Sequence, residues 1–405
     1  MALKKLLNKG TVYKRSDNRW GGMVSYHDEQ GVYRRKSFCA PTKKAVLKKI
    51  GDYIEFFKME IAEADETKKP LRKSMQKWLE VFQYGTVERA TYDRKEDCAK
   101  HYIYPRIGDM IISEITSADL NGILTQMMNE GYSHSTVKHV YSLFKEYFRY
   151  LCYEEHIPKN PMAYVRMIKK ANFLAAQGRE IIARSDAVTV LNDEEIRRLR
   201  EAVFTRNRKG ALKHQQAAAY LLMLNTGLRT GEVLGLLNSD IDLDKRELSV
   251  TRAVKEVGKR DKDGAACGTE LIVGGMKTAA SKRTIPLNST AIEMILILRT
   301  DRYFGADSPL ISNQVGDFTR PSTFRSRWYT LLDFAGISHK GLHSLRHTFA
   351  TRLINGIEDE NGNLKTLTVK QVADLLGHTT STVTEKYYVR RELKNLHGIT
   401  DDFEI

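Results

Sequence analysis

The segment GLHSLRHTFATRLI, residues 341–354, decides the class of fold and chemistry that the sequence predicts, because it carries the pair His343 and Arg346. Three further segments carry related side chains: TGLRTGE at 226–232, MKT at 276–278 and LGH at 376–378. Tyr387 follows nine residues after His378. Each segment alone is weak, since a single His or Tyr is usually a structural residue. Together they collect Arg, Lys, His and Tyr in one C-terminal region, which indicates phosphoryl-transfer chemistry.

Phosphodiester cleavage explains this combination of residue types. The in-line transition state gathers negative charge on the non-bridging oxygens, and a guanidinium stays protonated and can hold two of them with its planar fork. Arg229 and Arg346 are the candidates for this role. The Lys277 ammonium can protonate the leaving 5′ oxygen of deoxyribose as a general acid. His343 and His378 can donate hydrogen bonds or exchange a tyrosine proton, because imidazole titrates near neutral pH.

Tyr387 is the candidate nucleophile, and its neighbour Tyr388 leaves that choice open by one residue. A phenol has a reference pKa of about 10, so it needs neighbouring positive charge or a base to attack. The resulting phosphotyrosine retains the energy of the broken bond, and a 5′ hydroxyl can therefore reverse the step without ATP or a divalent ion. The sequence has no Walker-type Gly-rich Lys motif and no acids clustered for two-metal cleavage, and it predicts neither a cofactor nor a metal site.

These motifs resemble those of the tyrosine recombinase family, also called phage-type integrases, whose pattern is Arg, Lys, His-x-x-Arg, His and Tyr in this order. The resemblance covers roughly residues 190 to 390, with the motif spacing as its most specific part. It implies that one set of residues surrounds the scissile phosphate: Arg229, Lys277, His343, Arg346 and His378. It also implies that Tyr387 is the nucleophile, since the interval from His378 matches the family at that residue. Glu232 matches an acid that the family often has, and one helical turn would bring its carboxylate beside the Arg229 guanidinium.

The stretch between His347 and His378 is longer and more acidic than the family usually has, because it contains Glu358-Asp359-Glu360-Asn361-Gly362-Asn363. We interpret residues 358–366 as an inserted surface loop that turns at Asn361-Gly362. A calcium-binding EF-hand loop is the alternative, although its later acidic ligand is missing.

The charge of the chain points to a polyanionic partner. The formal net charge is +15 and the pI is about 9.4, and clustered Lys and Arg gain free energy by displacing counterions from phosphates. Residues 1–50 hold thirteen Lys or Arg against three acids. A basic membrane-surface segment would carry the same charge, but no apolar run reaches the length of about 20 residues that spans a bilayer. The first residues also lack the apolar region of a signal peptide. We therefore expect double-stranded DNA as the partner, no membrane association and a nucleoid-associated location in the bacterial cytoplasm.

Hydrophobic patterning predicts a multidomain chain that is mainly α-helical with small β-sheets. With 405 residues, 41% of them hydrophobic, the chain can bury more than one core. Residues 1–65 predict a three-stranded sheet plus a helix, 74–165 a helical domain, and 189–405 an α+β domain with a C-terminal tail. Strands are predicted at 11–14, 20–26, 32–38, 247–254, 270–276 and 283–287. Polar segments at 63–73 and 162–188 predict linkers, and 278–282 predicts a hairpin turn.

Two sets of side chains outside the motifs carry predictions of their own. The N-terminal sheet presents four cations as candidate DNA contacts: Arg19, Arg34, Arg35 and Lys36. The alternative is that these cations cover a solvated sheet face over an aromatic core.

The four cysteines form no Cys-x-x-Cys pair and are each expected to be a small buried hydrophobic residue: Cys39, Cys98, Cys152 and Cys267.

The family resemblance implies site-specific DNA recombination, the integration or excision of a mobile element, through a covalent 3′-phosphotyrosine. It assigns 1–65 as an arm-type DNA-binding domain, 74–165 as the core-binding domain and 189–405 as the catalytic domain. It further implies a homotetramer on two duplexes, tail packing between subunits by 389–405, and an excisionase or DNA-bending helper protein. Two alternatives stay open, namely a type IB topoisomerase-like enzyme that nicks and reseals one duplex, and a non-catalytic DNA-binding regulator.

Overall fold

The computed structural model describes most of the chain: residues 5–7, 10–28, 32–179, 189–261, 266–275, 282–358, 364–378, 380, 382 and 384–385. The chain divides into two compact units, Met1–Ile181 and Ile182–Ile405. Helices dominate both units, and the strands form small antiparallel sheets. The predicted mainly α fold with small β-sheets is therefore confirmed. Among the described residues, no helix combines the length and the apolar character that crossing a bilayer requires.

The first unit begins with a sheet and one helix: β1 (Lys5–Leu6), β2 (Thr11–Lys14), β3 (Trp20–His27), β4 (Tyr33–Ala40) and α1 (Lys43–Ala64). β3 pairs antiparallel with each of the other three strands, so the three predicted strands are confirmed and β1 is a short addition. Val24 of β3 shares a small core with Val46 and Ile50 of α1. Gly22 permits the close approach, because a Cβ there would lie 2.6 Å from both Ile50 Cδ1 and Val46 Cγ1.

A helical bundle follows in the same unit: α2 (Leu71–Trp78), α3 (Arg89–Cys98), α4 (Tyr104–Ile107), α5 (Ser117–Asn129), α6 (His134–Tyr153) and α7 (Lys170–Ala176). The apolar residues that recur at helical spacing form its core, in which Leu120, Phe144 and Phe148 are fully buried. α5 begins at a capping box in which the Asp119 carboxylate accepts from the Thr116 backbone N–H at 2.8 Å.

Two segments that were predicted to be linkers contain residues that are buried in this unit. Glu66 lies in the predicted linker 63–73 yet is buried, and its carboxylate accepts hydrogen bonds from Lys69 Nζ and Ser74 Oγ, both at 2.6 Å. Phe173 lies in the predicted connector 162–188 yet is fully buried in the bundle core. The linker predictions are wrong for these residues, because the composition of a short segment does not reveal which of its side chains find partners inside the fold.

The second unit contains the remaining elements: α8 (Asp193–Phe204), α9 (Ala218–Thr226), α10 (Thr230–Gly235), β5 (Ile241–Asp242), β6 (Glu247–Val250), β7 (Arg252–Arg260), β8 (Ala266–Gly275), β9 (Arg283–Pro286), α11 (Ser289–Asp301), α12 (Pro321–Phe334), α13 (His343–Asn355), β10 (Ile357–Glu358), β11 (Leu364–Lys365) and α14 (Val369–Leu376). α9 is almost entirely buried and contacts both α11 and α13. It therefore forms the centre of the core around which the candidate site is built.

The strands of the second unit form two main sheets rather than one. The predicted strand 247–254 is divided at Thr251 into β6 and β7. β6 pairs with β9, whereas β7 pairs with β8. The strands on either side of the predicted turn 278–282 thus belong to different sheets, and 276–281 lie outside the described residues.

The cysteines match their prediction only in part. Cys98 is buried and Cys39 and Cys152 are partly buried, but Cys267 is exposed on β8, so the expectation that each is a buried hydrophobic residue is wrong for Cys267. All four are free thiols.

Candidate active site

The turn between α9 and α10 positions Arg229. Gly227 caps the C-terminal end of α9, and its φ of +65° is a left-handed conformation that favours glycine. A Cβ at residue 227 would also lie 2.5 Å from Phe349 Cδ1, so no larger residue fits without movement. Arg229 follows as the N-cap of α10, where its backbone N–H donates to Glu232 Oε2 at 2.9 Å and its Nη1 donates to Glu232 Oε1 at 2.7 Å. The carboxylate of Glu232 thus lies beside the Arg229 guanidinium, as the spacing of one helical turn predicts.

Glu232 is a buried carboxylate surrounded by arginines. Its side chain is 1% exposed, and besides Arg229 it meets Arg283 Nη2 at 2.9 Å from Oε2 and Arg346 Nη1 at 4.0 Å from Oε2. Burial alone would raise the pKa of Glu232, but the hydrogen bonds and charge of Arg283, followed by those of Arg229, lower it to about 2. The carboxylate is therefore ionised at neutral pH, and it holds several arginine side chains in one place.

Arg346 is buried and joins three parts of the second unit. Its side chain is 1% exposed on α13. Nη1 donates to the backbone oxygen of Gly227 at 2.8 Å, and Nη2 donates to that of Leu376 at 2.7 Å. These two carbonyls lie at the C-terminal ends of α9 and α14, where backbone oxygens lack partners within the helix. Arg346 therefore satisfies two helix ends while its guanidinium lies in the site.

His378 lies two residues beyond the end of α14 and contacts the same guanidinium. Arg346 Nη2 lies 3.0 Å from His378 Nε2, and Nδ1 lies 2.8 Å from Thr384 Oγ1. Because a guanidinium only donates, Nε2 must accept and Nδ1 must carry the proton that it donates to Thr384. Burial, followed by the charges of Arg346 and Arg229, lowers the pKa of His378 to about 4. The pKa of this imidazole thus lies below the near-neutral value that the sequence predicts.

Two further histidines lie at the start of α13. Burial and the charges of Arg346 and Arg229 lower the pKa of His343. The ring of His347 packs edge-on against that of His343 with centroids 4.4 Å apart, and burial with the neighbouring cations and imidazoles lowers its pKa to about 4. His347 therefore belongs to the same cluster, although the sequence motif assigned it no role.

Four of the predicted catalytic residues and the supporting acid are thus brought together: Arg229, His343, Arg346, His378 and Glu232. Lys277 and Tyr387 lie outside the described residues, as do Tyr388, the 359–363 part of the predicted loop and the tail 389–405. Sequence reasoning missed Arg283. The only hint in the sequence is the position of Arg283 in β9, two residues before Ile285, which places both side chains on the same, buried side of the strand. An arginine on that side requires a buried partner for its charge.

The structure separates the four N-terminal cations that were predicted to contact DNA. Arg35 lies on the sheet face away from α1, where its Nε donates to the Tyr33 hydroxyl at 2.8 Å. Arg34 and Lys36 lie opposite Tyr26 and Val24 of the neighbouring strand β3. The side chains of Tyr26 and Val24 face α1, so Arg34 and Lys36 are on the α1 side of the sheet. All four are exposed, and two are engaged in surface ion pairs: Arg19 with Asp17, and Arg34 with Asp28.

Comparisons with known proteins agree with this arrangement. The model of the "Phage integrase family" matches residues 189–394, and that of the "Phage integrase, N-terminal SAM-like domain" matches residues 71–128. The chain is 29% identical over 374 residues to "Tyrosine recombinase XerC-like" of Caldanaerobacter subterraneus subsp. tengcongensis, covering 89% of each chain. It is 27% identical over 335 residues to the integrase of Mycobacterium phage L5, covering 80% of this chain and 76% of the phage protein.

Solved structures show the same fold. The Tn1549 transposon integrase in complex with a circular intermediate DNA aligns with a TM-score of 0.61 at 19% identity, covering 83% of this chain and 100% of that one. The lambda integrase dimer bound to a COC′ core site aligns with a TM-score of 0.54 at 19% identity, covering 94% and 95%. The phage integrase family model matches residues 189–394, just over half of this chain, and the chain therefore belongs to the phage integrase family.

Proposed function

We propose that this chain is a site-specific DNA recombinase that cleaves and exchanges strands through a covalent 3′-phosphotyrosine. One observation carries the proposal: Arg229 and Arg346 both reach the carboxylate of the buried Glu232, so two guanidinium groups are held close enough to bind a single phosphate. Preorganised cations of this kind stabilise the charge that develops on phosphate oxygens during phosphoryl transfer.

In the proposed cleavage step, the Tyr387 oxygen attacks phosphorus as the bond from phosphorus to the 5′ oxygen breaks. Arg229 and Arg346 bind the non-bridging oxygens. Lys277 gives its proton to the leaving 5′ oxygen, and an imidazole of the cluster accepts the phenol proton. The lowered pKa values of His343 and His378 make these imidazoles weaker bases, but they keep both in the neutral form that can accept a proton at pH 7. Rejoining is the reverse reaction with a 5′ hydroxyl of the partner duplex.

The domain assignment is part of the same proposal. Residues 1–65 are proposed as the arm-type DNA-binding domain, 74–165 as the core-binding domain and 189–405 as the catalytic domain. The helical bundle, the SAM-like family match at 71–128 and the basic N-terminal fifty residues support it. Two DNA-binding domains on one chain would let it bridge separate sites, since the second contact forms at a high effective concentration. This organisation favours the integrase of a mobile element, working in the cytoplasm.

We further propose that the active assembly is a homotetramer, with residues 389–405 packing on a neighbouring subunit and an excisionase or DNA-bending protein assisting. One solved relative is a lambda integrase tetramer bound to a Holliday junction, with a TM-score of 0.54 at 17% identity.

A strand-exchange assay tests the function. The DNA is the chain's own binding site, recovered from a random-sequence duplex library and placed on two labelled duplexes of different length. We expect recombinant duplexes to form, with a rate that rises more steeply than linearly with protein concentration, because exchange needs several subunits. Relaxation of a supercoiled plasmid carrying one site, without recombinants, would instead support the topoisomerase-like alternative. Binding without any covalent complex would support the regulator.

The arm-domain assignment gives a second expected result. Deleting residues 1–65 should leave cleavage at a core site within about twofold, but it should weaken binding to a duplex carrying core and accessory sites by about 100-fold, through loss of the second contact. Gel-shift titrations measure both. Within the full chain, Arg35→Ala should weaken accessory-site binding more than the matched control Arg34→Ala, since Arg34 lies on the α1 side and is paired with Asp28. Equal affinities for the deleted and full chains would contradict the assignment.

A further inference from the structure

Arg283 is an arginine whose buried side chain joins three segments of the second unit. It is the first residue of β9, six positions after Lys277, and its side chain is 7% exposed. Nη2 and Nη1 donate to the two oxygens of Glu232 at 2.9 and 3.3 Å, and Nε donates to the backbone oxygen of Leu375 at 2.7 Å. One planar group thus connects β9 to α10 and to the end of α14.

Each partner of Arg283 holds a residue of the proposed phosphate site. Glu232 binds Arg229 through both its backbone N–H and its Nη1. At the end of α14, the carbonyl of Leu375 accepts from Arg283 while the next carbonyl, that of Leu376, accepts from Arg346. His378 follows two residues later. Arg283 and Arg346 therefore secure consecutive carbonyls at the point where the chain enters the site.

We propose that Arg283 is a positioning residue for DNA cleavage, which holds Arg229 through Glu232 and His378 through the last turn of α14. Its own nitrogens point to Glu232 and Leu375, so it acts on the phosphate through these neighbours. The inference rests on the proposed function, because it assigns Arg283 a part in the same cleavage step. A misplacement of about 1 Å in a catalytic group can cost about 100-fold in rate.

Electrostatics add a signature that a packing role would not produce. Three arginines face Glu232: Arg229 at the start of the same helix, Arg283 on β9 and Arg346 on α13. His343 and His378 lie nearby. Burial raises the pKa of Glu232, and Arg283 makes the largest contribution that lowers it. Without Arg283, burial remains while this contribution is lost, so the pKa of Glu232 rises. Protonation at lower pH would then release Arg229.

The experiment measures single-turnover cleavage by the full chain at saturating DNA, with a nicked duplex of its own binding site that traps the covalent complex, between pH 5 and pH 9. For Arg283→Met we expect a rate about 100-fold below wild type at pH 8, a further decline towards pH 5 that wild type lacks, and a DNA dissociation constant within about twofold. Arg283→Lys should recover part of the rate and flatten the pH profile, since it restores the charge but not the fork.

The matched control is Arg299→Met, because Arg299 is a partly buried arginine of α11 whose guanidinium donates to the side chain and backbone oxygen of Asn238. We expect wild-type cleavage from this variant even if its melting temperature falls as far as that of Arg283→Met. Equal rates and pH profiles for Arg283→Met and wild type would overturn the inference, as would a parallel, pH-independent loss in both variants. If wild type itself forms no covalent complex, the proposed function fails instead.

Discussion

Tyr387→Phe is expected to lower the rate of covalent complex formation by about 10⁴-fold or more, while the affinity for DNA stays within about twofold of wild type. Phenylalanine keeps the ring and removes only the oxygen that would attack phosphorus, and loss of a nucleophile has effects of this size in other enzymes. The measurement is a time course of the SDS-resistant protein–DNA complex on a nicked duplex, with binding followed separately by gel shift.

Tyr388→Phe is the matched control for this result. It makes the same chemical change one residue along the chain, and we expect it to form the covalent complex at close to the wild-type rate. The opposite pattern, with the complex lost in Tyr388→Phe and kept in Tyr387→Phe, would show that the nucleophile has been assigned to the wrong tyrosine.

Arg346→Met is expected to show the second largest effect, with losses in both catalysis and stability. Removing one preorganised donor to a transition-state anion costs about 10²- to 10³-fold in rate. The same change leaves the buried carbonyls of Gly227 and Leu376 without this partner, and a buried group left unsatisfied costs about 1 to 3 kcal/mol. Single-turnover cleavage and chemical denaturation of the same preparation measure the two losses.

Two variants separate these contributions. Arg352→Met changes an arginine on the same helix, α13, that is 40% exposed and paired with Asp193, so it should change neither quantity appreciably. Arg346→Lys keeps a positive charge but cannot reach both carbonyls as a planar fork, and we expect it to restore part of the rate and less of the stability. Wild-type cleavage by Arg346→Met would contradict the role of this guanidinium.

Local signals in the sequence account for several local features of the fold. The capping box at Thr116 and Asp119 and the capping box at Asn192 and Glu195 are both present, because a cap depends on residues within one turn of each other. The burial of helix α9 also follows from its composition, which is apolar from Ala218 to Leu224. The division of the predicted strand at Thr251 was missed, since two segments with the same β-propensity can join different sheets and only distant partners decide which.

In the candidate site, too, the residues that depend on distant partners could not be predicted from the sequence. Arg229, His343, Arg346 and His378 could be named because their spacing follows a known motif, and Glu232 because it lies one helical turn from Arg229. Arg283 could not, since its burial depends on Glu232, 51 residues away, and on Leu375, 92 residues away.

The lowered pKa values in the cluster were missed for a related reason. The reference value of an imidazole says nothing about how deeply a folded chain buries it or how many arginines surround it. For His378, burial and the charges of Arg346, Arg229 and Arg283 lower the pKa to about 4, well below the near-neutral value that the sequence predicts.

The central claim is that one phenol oxygen, set among the cations that Glu232 organises, bonds to phosphorus of the cleaved strand. Mass spectrometry of the wild-type chain trapped on a nicked duplex tests this most directly, after digestion of protein and DNA to a peptide linked to a nucleotide. We predict a phosphodiester to the 3′ end of the nucleotide on the peptide that contains Tyr387, with fragment ions that place it on that residue. A link to any other residue, or to a 5′ phosphate, would contradict the account.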